Sequence, residues 1–153
     1  MKKIDVGCGQ GRRPSPGYDA YCDVFEPTTK MPGPYYKCPM EDMSVFQDKE
    51  FDFARCHHVI EHTTDPNRAC SELVRIAKAG ILSFPTAHAE MCYGRKDHNW
   101  YVFVFRGKLF FVPKFNESLG IPRAVAGGGL NVDFEWKDSF EWVVLEPAVR
   151  KLR

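Results

Sequence analysis

Along the first half of the chain, apolar residues fall in short runs separated by polar stretches rich in proline and glycine. Lys3-Ile4-Asp5-Val6 is such a run, closed by glycines, and predicts a strand. Asp19 to Val24 predicts a second strand, Tyr35-Tyr36-Lys37 a short third, and Phe51 to Cys56 a fourth, after the polar turn Gln47-Asp48-Lys49-Glu50. Pro14, Ser15, Pro16 and Gly17 forbid a helix after the first strand. Glu26 to Pro34 is a loop, and Glu41 to Phe46 makes at most one turn of helix. The period changes at Asp65. Ala69, Leu73, Ile76 and Ala77 recur at helical spacing, Asp65 is a good N-cap, and Pro66 suits the first helical position. Gly80 is expected as the left-handed residue ending that helix. Ile81-Leu82-Ser83-Phe84, stopped by Pro85, is a fifth strand.

After residue 98 the pattern becomes antiparallel and aromatic. Trp100 to Phe105, the turn Arg106-Gly107-Lys108 and Leu109 to Val112 predict a β-hairpin. Val132 to Trp136 and Phe140 to Leu145, joined around Lys137-Asp138-Ser139, predict a second, with Gly127-Gly128-Gly129 as a flexible connector before it. Strand, loop, strand, helix, strand is the order of a parallel α/β sheet, so one mixed sheet is expected, poor in helices and carrying hairpins in its C-terminal half.

Composition narrows the class. The 153 residues make a single domain (1–153), 44% apolar with a formal net charge of +1, which excludes a disordered chain and a strongly basic nucleic-acid binder. No stretch approaches the roughly 18 apolar residues of a membrane span. Met1-Lys2-Lys3 leads straight into an apolar strand containing an acid, unlike a signal peptide. The six cysteines, at 8, 22, 38, 56, 70 and 92, form no Cys-x-x-Cys pair, so free thiols in a reducing cytoplasm are expected.

The candidate chemistry begins at Asp5-Val6-Gly7-Cys8-Gly9-Gln10-Gly11. Glycines let a ligand approach the backbone, and Asp5 can accept from an ammonium or hydroxyl group. The acid-x-Gly-x-Gly-x-Gly spacing differs from Gly-x-Gly-x-x-Gly, and the prolines remove the helix that would hold a pyrophosphate, so a dinucleotide is disfavoured. Phe51-Asp52, His58-Val59-Ile60-Glu61-His62, Asp65-Pro66, Glu72-Leu73, Arg75-Ile76, Lys78, Gly80 and Phe84-Pro85 follow in order. Together with the glycine loop, this series over residues 4 to about 86 resembles class I S-adenosylmethionine-dependent methyltransferases, in their type 11 branch and in a shortened form. The resemblance implies a Rossmann-like sheet, S-adenosylmethionine as cofactor and methyl transfer to an acceptor whose class the sequence does not choose.

It also implies site residues. Gly7, Cys8, Gly9 and Gly11 would border the methionine part of the cofactor, with Cys56, His57 and His58 beside it. Asp23, or more weakly Asp19, would take the ribose hydroxyls. In Cys38-Pro39-Met40-Glu41-Asp42 the acid usual in the family is missing; Met40 would cover the adenine, and Glu41 or Asp42 would take its amino group. Arg12 or Arg13 would supply charge to the methionine carboxylate.

Two histidines are candidate bases. His58 follows the fourth strand, and His98 lies in Asp97-His98-Asn99-Trp100 on the side expected to face substrate. His58 and His62 are four apart and raise zinc, but such a site needs three or four ligands and His-Glu-x-x-His is absent, so no metal is expected. Two other readings compete: a non-catalytic binder of the cofactor on a degenerate fold, and a metal-dependent hydrolase built on His58 and His62. The lack of helices after the first and second strands leaves one sheet face to be covered. The aromatic hairpin, a second copy of the chain or a partner protein would cover it.

Overall fold

The apolar runs of the first half pair with one another, and the pairing brings Gly7, Gly9, Asp23 and His57 to one end of the sheet. The computed structural model describes residues 1–9, 15–114, 119 and 130–146. Along the chain run β1 (Lys3–Val6), β2 (Ala20–Asp23), β3 (Tyr35–Lys37), β4 (Phe53–His57), a 3₁₀ turn (Ile60–His62), α1 (Pro66–Ile76), β5 (Ala79–Pro85), α2 (Ala87–Tyr93), β6 (Trp100–Phe105), β7 (Lys108–Pro113), β8 (Asn131–Lys137) and β9 (Trp142–Val144). Six strands form one sheet in the order β3-β2-β1-β4-β5-β8. The first five are parallel, and β8 closes the edge antiparallel to β5, from Ala79 opposite Lys137 to Pro85 opposite Asn131.

Alternation along the strands sorts the two faces. Ile4, Val6, Ala20, Cys22, Ala54, Cys56 and Leu82 are buried in one apolar core with Ala69, Cys70, Leu73 and Ile76 of α1. The opposite face carries Lys3, Asp5, Tyr21, Arg55 and Ile81 at register positions between them. The described residues between β1 and β3 form no helix. Instead, the Tyr21 hydroxyl donates to the Ser15 carbonyl at 2.7 Å, and Tyr18 meets the Tyr21 ring edge-on.

α1 starts as its sequence predicts: Pro66 opens it, and the Asp65 carboxylate accepts from the Arg68 N–H at 3.1 Å. Arg75, in its last turn, bonds Glu72 (2.7 Å), Asp48 (3.0 Å) and the carbonyls of Phe46 (2.8 Å) and Met43 (2.9 Å). These charge-assisted bonds fasten the irregular connection 43–48 to the helix.

Three expectations are corrected. Gly80 does not cap α1. The helix ends at the extended residue Ala77, and Gly80 lies inside β5, where an added Cβ would sit 2.4 Å from the Ala54 carbonyl oxygen and 2.8 Å from Nε1 of Trp136. Its bare backbone makes room for the Trp136 ring against the sheet. The second hairpin does not form. β8 joins the main sheet, whereas β9 pairs parallel with β7 in a separate three-stranded sheet, β6-β7-β9. Where the two strands part, Phe140 is buried among Phe134, Trp136 and Trp142 at centroid distances of 5.4–5.7 Å. There are accordingly two sheets rather than one. A further short helix, α2, begins at Thr86, whose hydroxyl accepts from the Ala89 N–H at 3.1 Å.

The first hairpin forms as expected on the two-residue turn Arg106-Gly107, both at positive φ (50° and 73°), as a type I′ turn requires. It packs against α2 and the 3₁₀ turn, while β9 beside it meets α1. Val102, Leu109 and Phe111 join the common core, and the Trp142 indole donates to Asn67 of α1 at 2.9 Å. Gly11, Arg12, Arg13 and the triple glycine 127–129 lie outside the described residues. No described helix is long and apolar enough to cross a membrane.

Gly80→Ala tests the close approach at β5. Forcing a methyl group between Ala54 and Trp136 is expected to cost about 2 kcal/mol, which in a domain of this size lowers the melting temperature by about 4–8 °C. Thermal unfolding followed by circular dichroism measures it; an unchanged melt would show that Trp136 yields freely.

Candidate functional site

The candidate site lies at the carboxyl ends of β1, β2 and β4, where ligands bind in open parallel sheets. After Val6 the chain turns through Gly7 (φ 69°) and Gly9 (φ 86°), a region that disfavours side chains. At Gly7 the constraint is also steric: an added Cβ would fall 2.0 Å from Cγ2 of Val59, in the segment that follows β4. The loop is laced to the end of β2. Gly7 and Cys8 donate their N–H groups to the Cys22 carbonyl (2.8 and 3.2 Å), and Gly9 donates to Oδ2 of Asp23 (2.8 Å). Oδ1 of Asp23 accepts from the Phe25 N–H at 3.1 Å. Three backbone donors of the loop are thus spent on the protein itself. Cys8 is a thiol rather than a thiolate, since burial, with Asp23 and Asp5 nearby, pushes it up to about 12.

Asp19 is not at the end of β2; its carboxylate accepts from the Lys3 N–H at 2.7 Å and ties the start of β1. Asp5 points to the polar face of the sheet, 1% exposed, with Oδ1 3.0 Å from Nη1 of Arg55. Burial raises its carboxyl above the usual aspartate range despite the opposing pull of Arg55.

The segment expected around the adenine is occupied by internal contacts. Met40 is buried, with its sulfur 3.9 Å from Sγ of the fully buried Cys56, so both side chains belong to the core beneath the site. Glu41 accepts from the Thr63 hydroxyl (2.5 Å) and the Thr64 N–H (2.7 Å); burial opposes ionisation, but these bonds outweigh it and lower its pKa. Glu41 therefore ties the approach to α1. Asp42 is exposed and accepts from the Ser44 N–H at 3.2 Å. A cleft of about 440 Å³ runs beside Glu41, Asp42, Arg68, Glu72 and Arg75, and none of the described glycine-loop residues lines it.

The histidines are arranged differently from the sequence expectation. His57 ends β4, with its ring edge-on to His58 at 4.5 Å. His58 takes a left-handed conformation (φ 55°), and its Nδ1 lies 3.0 Å from Oε1 of the buried Glu61. That is a costly backbone for a residue other than glycine. His98, expected on a substrate-facing loop, is instead only 6% exposed, with Nδ1 2.6 Å from Oε2 of Glu90. Lys114 binds the other oxygen of Glu90. His62 pairs with His98, ring centroids 4.4 Å apart, and not with His58. Sequence reasoning also missed Val24 and Phe25, which follow Asp23 and are 46% and 56% exposed. Apolar residues left in water directly after a strand-ending acid were the available signal.

A family model described as a methyltransferase domain matches residues 4–84. No curated protein and no solved structure matches the chain.

Asp5→Asn tests the cost of the buried carboxylate. Asp5 has a higher pKa folded than unfolded, so its ionised form opposes folding at neutral pH, and that cost disappears as pH falls through the raised value toward about 4. Asparagine mimics the protonated acid, and Arg55, about a quarter exposed, keeps access to water. The variant is expected to melt at or above the wild type at neutral pH, with the difference closing in acid. A clear loss of stability at neutral pH would show that the ion pair stabilises the sheet.

Proposed function

This chain belongs to the class I S-adenosylmethionine-dependent methyltransferase family, and from that premise we propose that it binds S-adenosylmethionine across the ends of β1, β2 and β4 and methylates an acceptor at the same edge. The observation that carries this reading is the 2.8 Å bond from Gly9 to Asp23, which joins the glycine loop to the strand-ending acid. Each Asp23 oxygen has one backbone donor. A carboxylate has about four acceptor positions, so each oxygen keeps a lone pair for one hydroxyl of a vicinal diol. The exposed ring of Phe25 offers an apolar surface next to that acid, which supports it in the covering role expected of Met40. These residues fit the cofactor's ribose and adenine. The N–H groups of Gly7, Cys8 and Gly9 are already bonded, so the methionine carboxylate must draw its donors from elsewhere.

When bound, the cofactor supplies a methyl group on a sulfonium, with a neutral thioether as leaving group. The chain's part is alignment of the acceptor and removal of its proton. Of the two histidines expected as bases, His58 suits the second task better. Its ring is about a quarter exposed, Glu61 orients it through Nδ1, and Nε2 is left to receive a proton. His98 is enclosed by Glu90 and its surroundings.

S-adenosylhomocysteine at about a hundred times its dissociation constant adds about 2.7 kcal/mol to the stability of the native state. The expected rise in melting temperature is about 5–10 °C. Asp23→Asn preserves an acceptor for Gly9 but replaces the other oxygen by a donor. It is expected to keep the fold and weaken binding at least tenfold by calorimetry. No rise in the wild type, or unchanged binding in the variant, would sink the assignment.

A further inference from the structure

Methyl transfer uses only Oε1 of Glu61, through His58, and leaves a largely buried cluster around its other oxygen unexplained. Glu61, His62 and His98 each present one potential ligand atom within 4.8 Å of the others. Glu61 is 1% exposed, and its Oε2 has no hydrogen-bond partner among the described residues. A buried carboxylate oxygen without a donor is expensive and calls for a counter-charge.

The hydrogen bonds around the cluster leave the right atoms over. Nδ1 of His62 lies 3.0 Å from the Asp97 carbonyl oxygen, which can only accept, so Nδ1 carries the hydrogen and Nε2 keeps its lone pair. Nδ1 of His98 lies 2.6 Å from Glu90, whose carboxylate Lys114 also binds, so His98 likewise presents a bare Nε2. Oε1 of Glu61 is held by His58 at 3.0 Å, leaving Oε2. Carboxylates and carbonyls bound to the far nitrogen of a histidine are the usual outer partners of metal-ligating imidazoles. Backbone pairing fixes the frame: Asn99 donates its N–H to the Glu61 carbonyl at 2.8 Å and its side-chain amide to the His62 carbonyl at 2.8 Å.

We propose that Glu61, His62 and His98 bind one divalent ion of the zinc class, through Oε2 of Glu61 and Nε2 of each histidine. Zinc bonds of about 2.0–2.1 Å place tetrahedral ligands about 3.4 Å apart, so side-chain rotations of about an ångström close the site. The donor set, two imidazoles and one carboxylate, leaves a fourth position for water or a substrate oxygen. His62, with a third of its side chain exposed, keeps the ion exchangeable with solvent. His58, Asp97 and Glu90 act as positioning residues through the three ligands. The site does not depend on the cofactor reading, because none of its ligands is assigned to the cofactor.

The test uses the full chain, stripped with a chelator and titrated with Zn²⁺ alone and with Co²⁺ alone. One equivalent of each ion is expected, with cobalt giving visible d–d bands of low coordination and no thiolate-to-metal charge transfer. Glu61→Gln is expected to weaken zinc binding at least a hundredfold, and Glu90→Gln, an outer partner, by about 10–100-fold. His88→Asn, on α2 outside the cluster, is expected to leave binding unchanged. Failure of the wild type to take up either ion stoichiometrically overturns the proposal. So does a thiolate charge-transfer band, which places the metal on the free cysteines, or full affinity in Glu61→Gln. The wild-type stoichiometry and cobalt spectrum decide the matter even if Glu61→Gln does not fold.

Discussion

Val59 fills the space that a side chain at Gly7 would need, with Cγ2 2.0 Å from the position of an added Cβ, so the turns after β1 and β4 share one volume. That contact is possible because β1 and β4 are neighbours in register, Val6 beside Cys56, and both end at the same level. It sets the glycine loop against the segment that carries His58, Glu61 and His62. Cys22 and Asp23 hold the backbone of Gly7, Cys8 and Gly9, so this part of the loop is positioned by β2 and β4 before any ligand arrives. Preorganisation of this kind lowers the entropy that binding must overcome.

The rest of the molecule compensates for connections that lack helices. Single cationic side chains satisfy backbone groups in such a connection and at the C-terminal end of α1. Arg75 serves the carbonyls of Met43 and Phe46, and Lys49 serves those of Val74, Ala77 and Asp138. The second sheet face answers the same lack with polarity. Lys3 lies over the Tyr18 ring at 5.2 Å, and Arg55 caps Asp5. Asp5 and Tyr21 are nonetheless buried there, 1% and 0% exposed, so this face depends on internal pairing rather than on contact with water.

Much of this was legible in the sequence wherever the signal was local. The strands before α1 and the Asp65-Pro66 helix start depend on neighbours in the chain. Gly80 was misread because two physical demands, helix termination and close approach to another strand, favour the same residue, and only the placement of Trp136 separates them. β8 and β9 resembled a hairpin because the turn at Lys137-Asp138-Ser139 is real, with Asp138 at φ 63°. The pairing of β8 with β5 and of β9 with β7, which parts the two strands, is long-range. The histidines were paired by helical spacing, but the turn at Ile60–His62 is 3₁₀ and His58 is left-handed, so a spacing of four places those rings apart. His98 reaches His62 through the chain reversal after α2, which no local period encodes. Asp23 and the glycines were readable as a loop and an acid; that they bond each other was not.

The antiparallel partner of β5 arrives late in synthesis. Ser83 bonds Asp133 at 2.5 Å across fifty positions of sequence, and the register along β5 is complete only when residues 131–137 exist. Until then a nascent chain holds its glycine loop, acid and histidines on a parallel sheet whose outer strand has an open row of backbone donors and acceptors. Such edges recruit other strands, and non-local pairings of this kind slow folding. The closing strand therefore governs the interval during which a growing chain is exposed to aggregation. Production of this protein should be sensitive to chaperone supply and to temperature more than its size alone suggests.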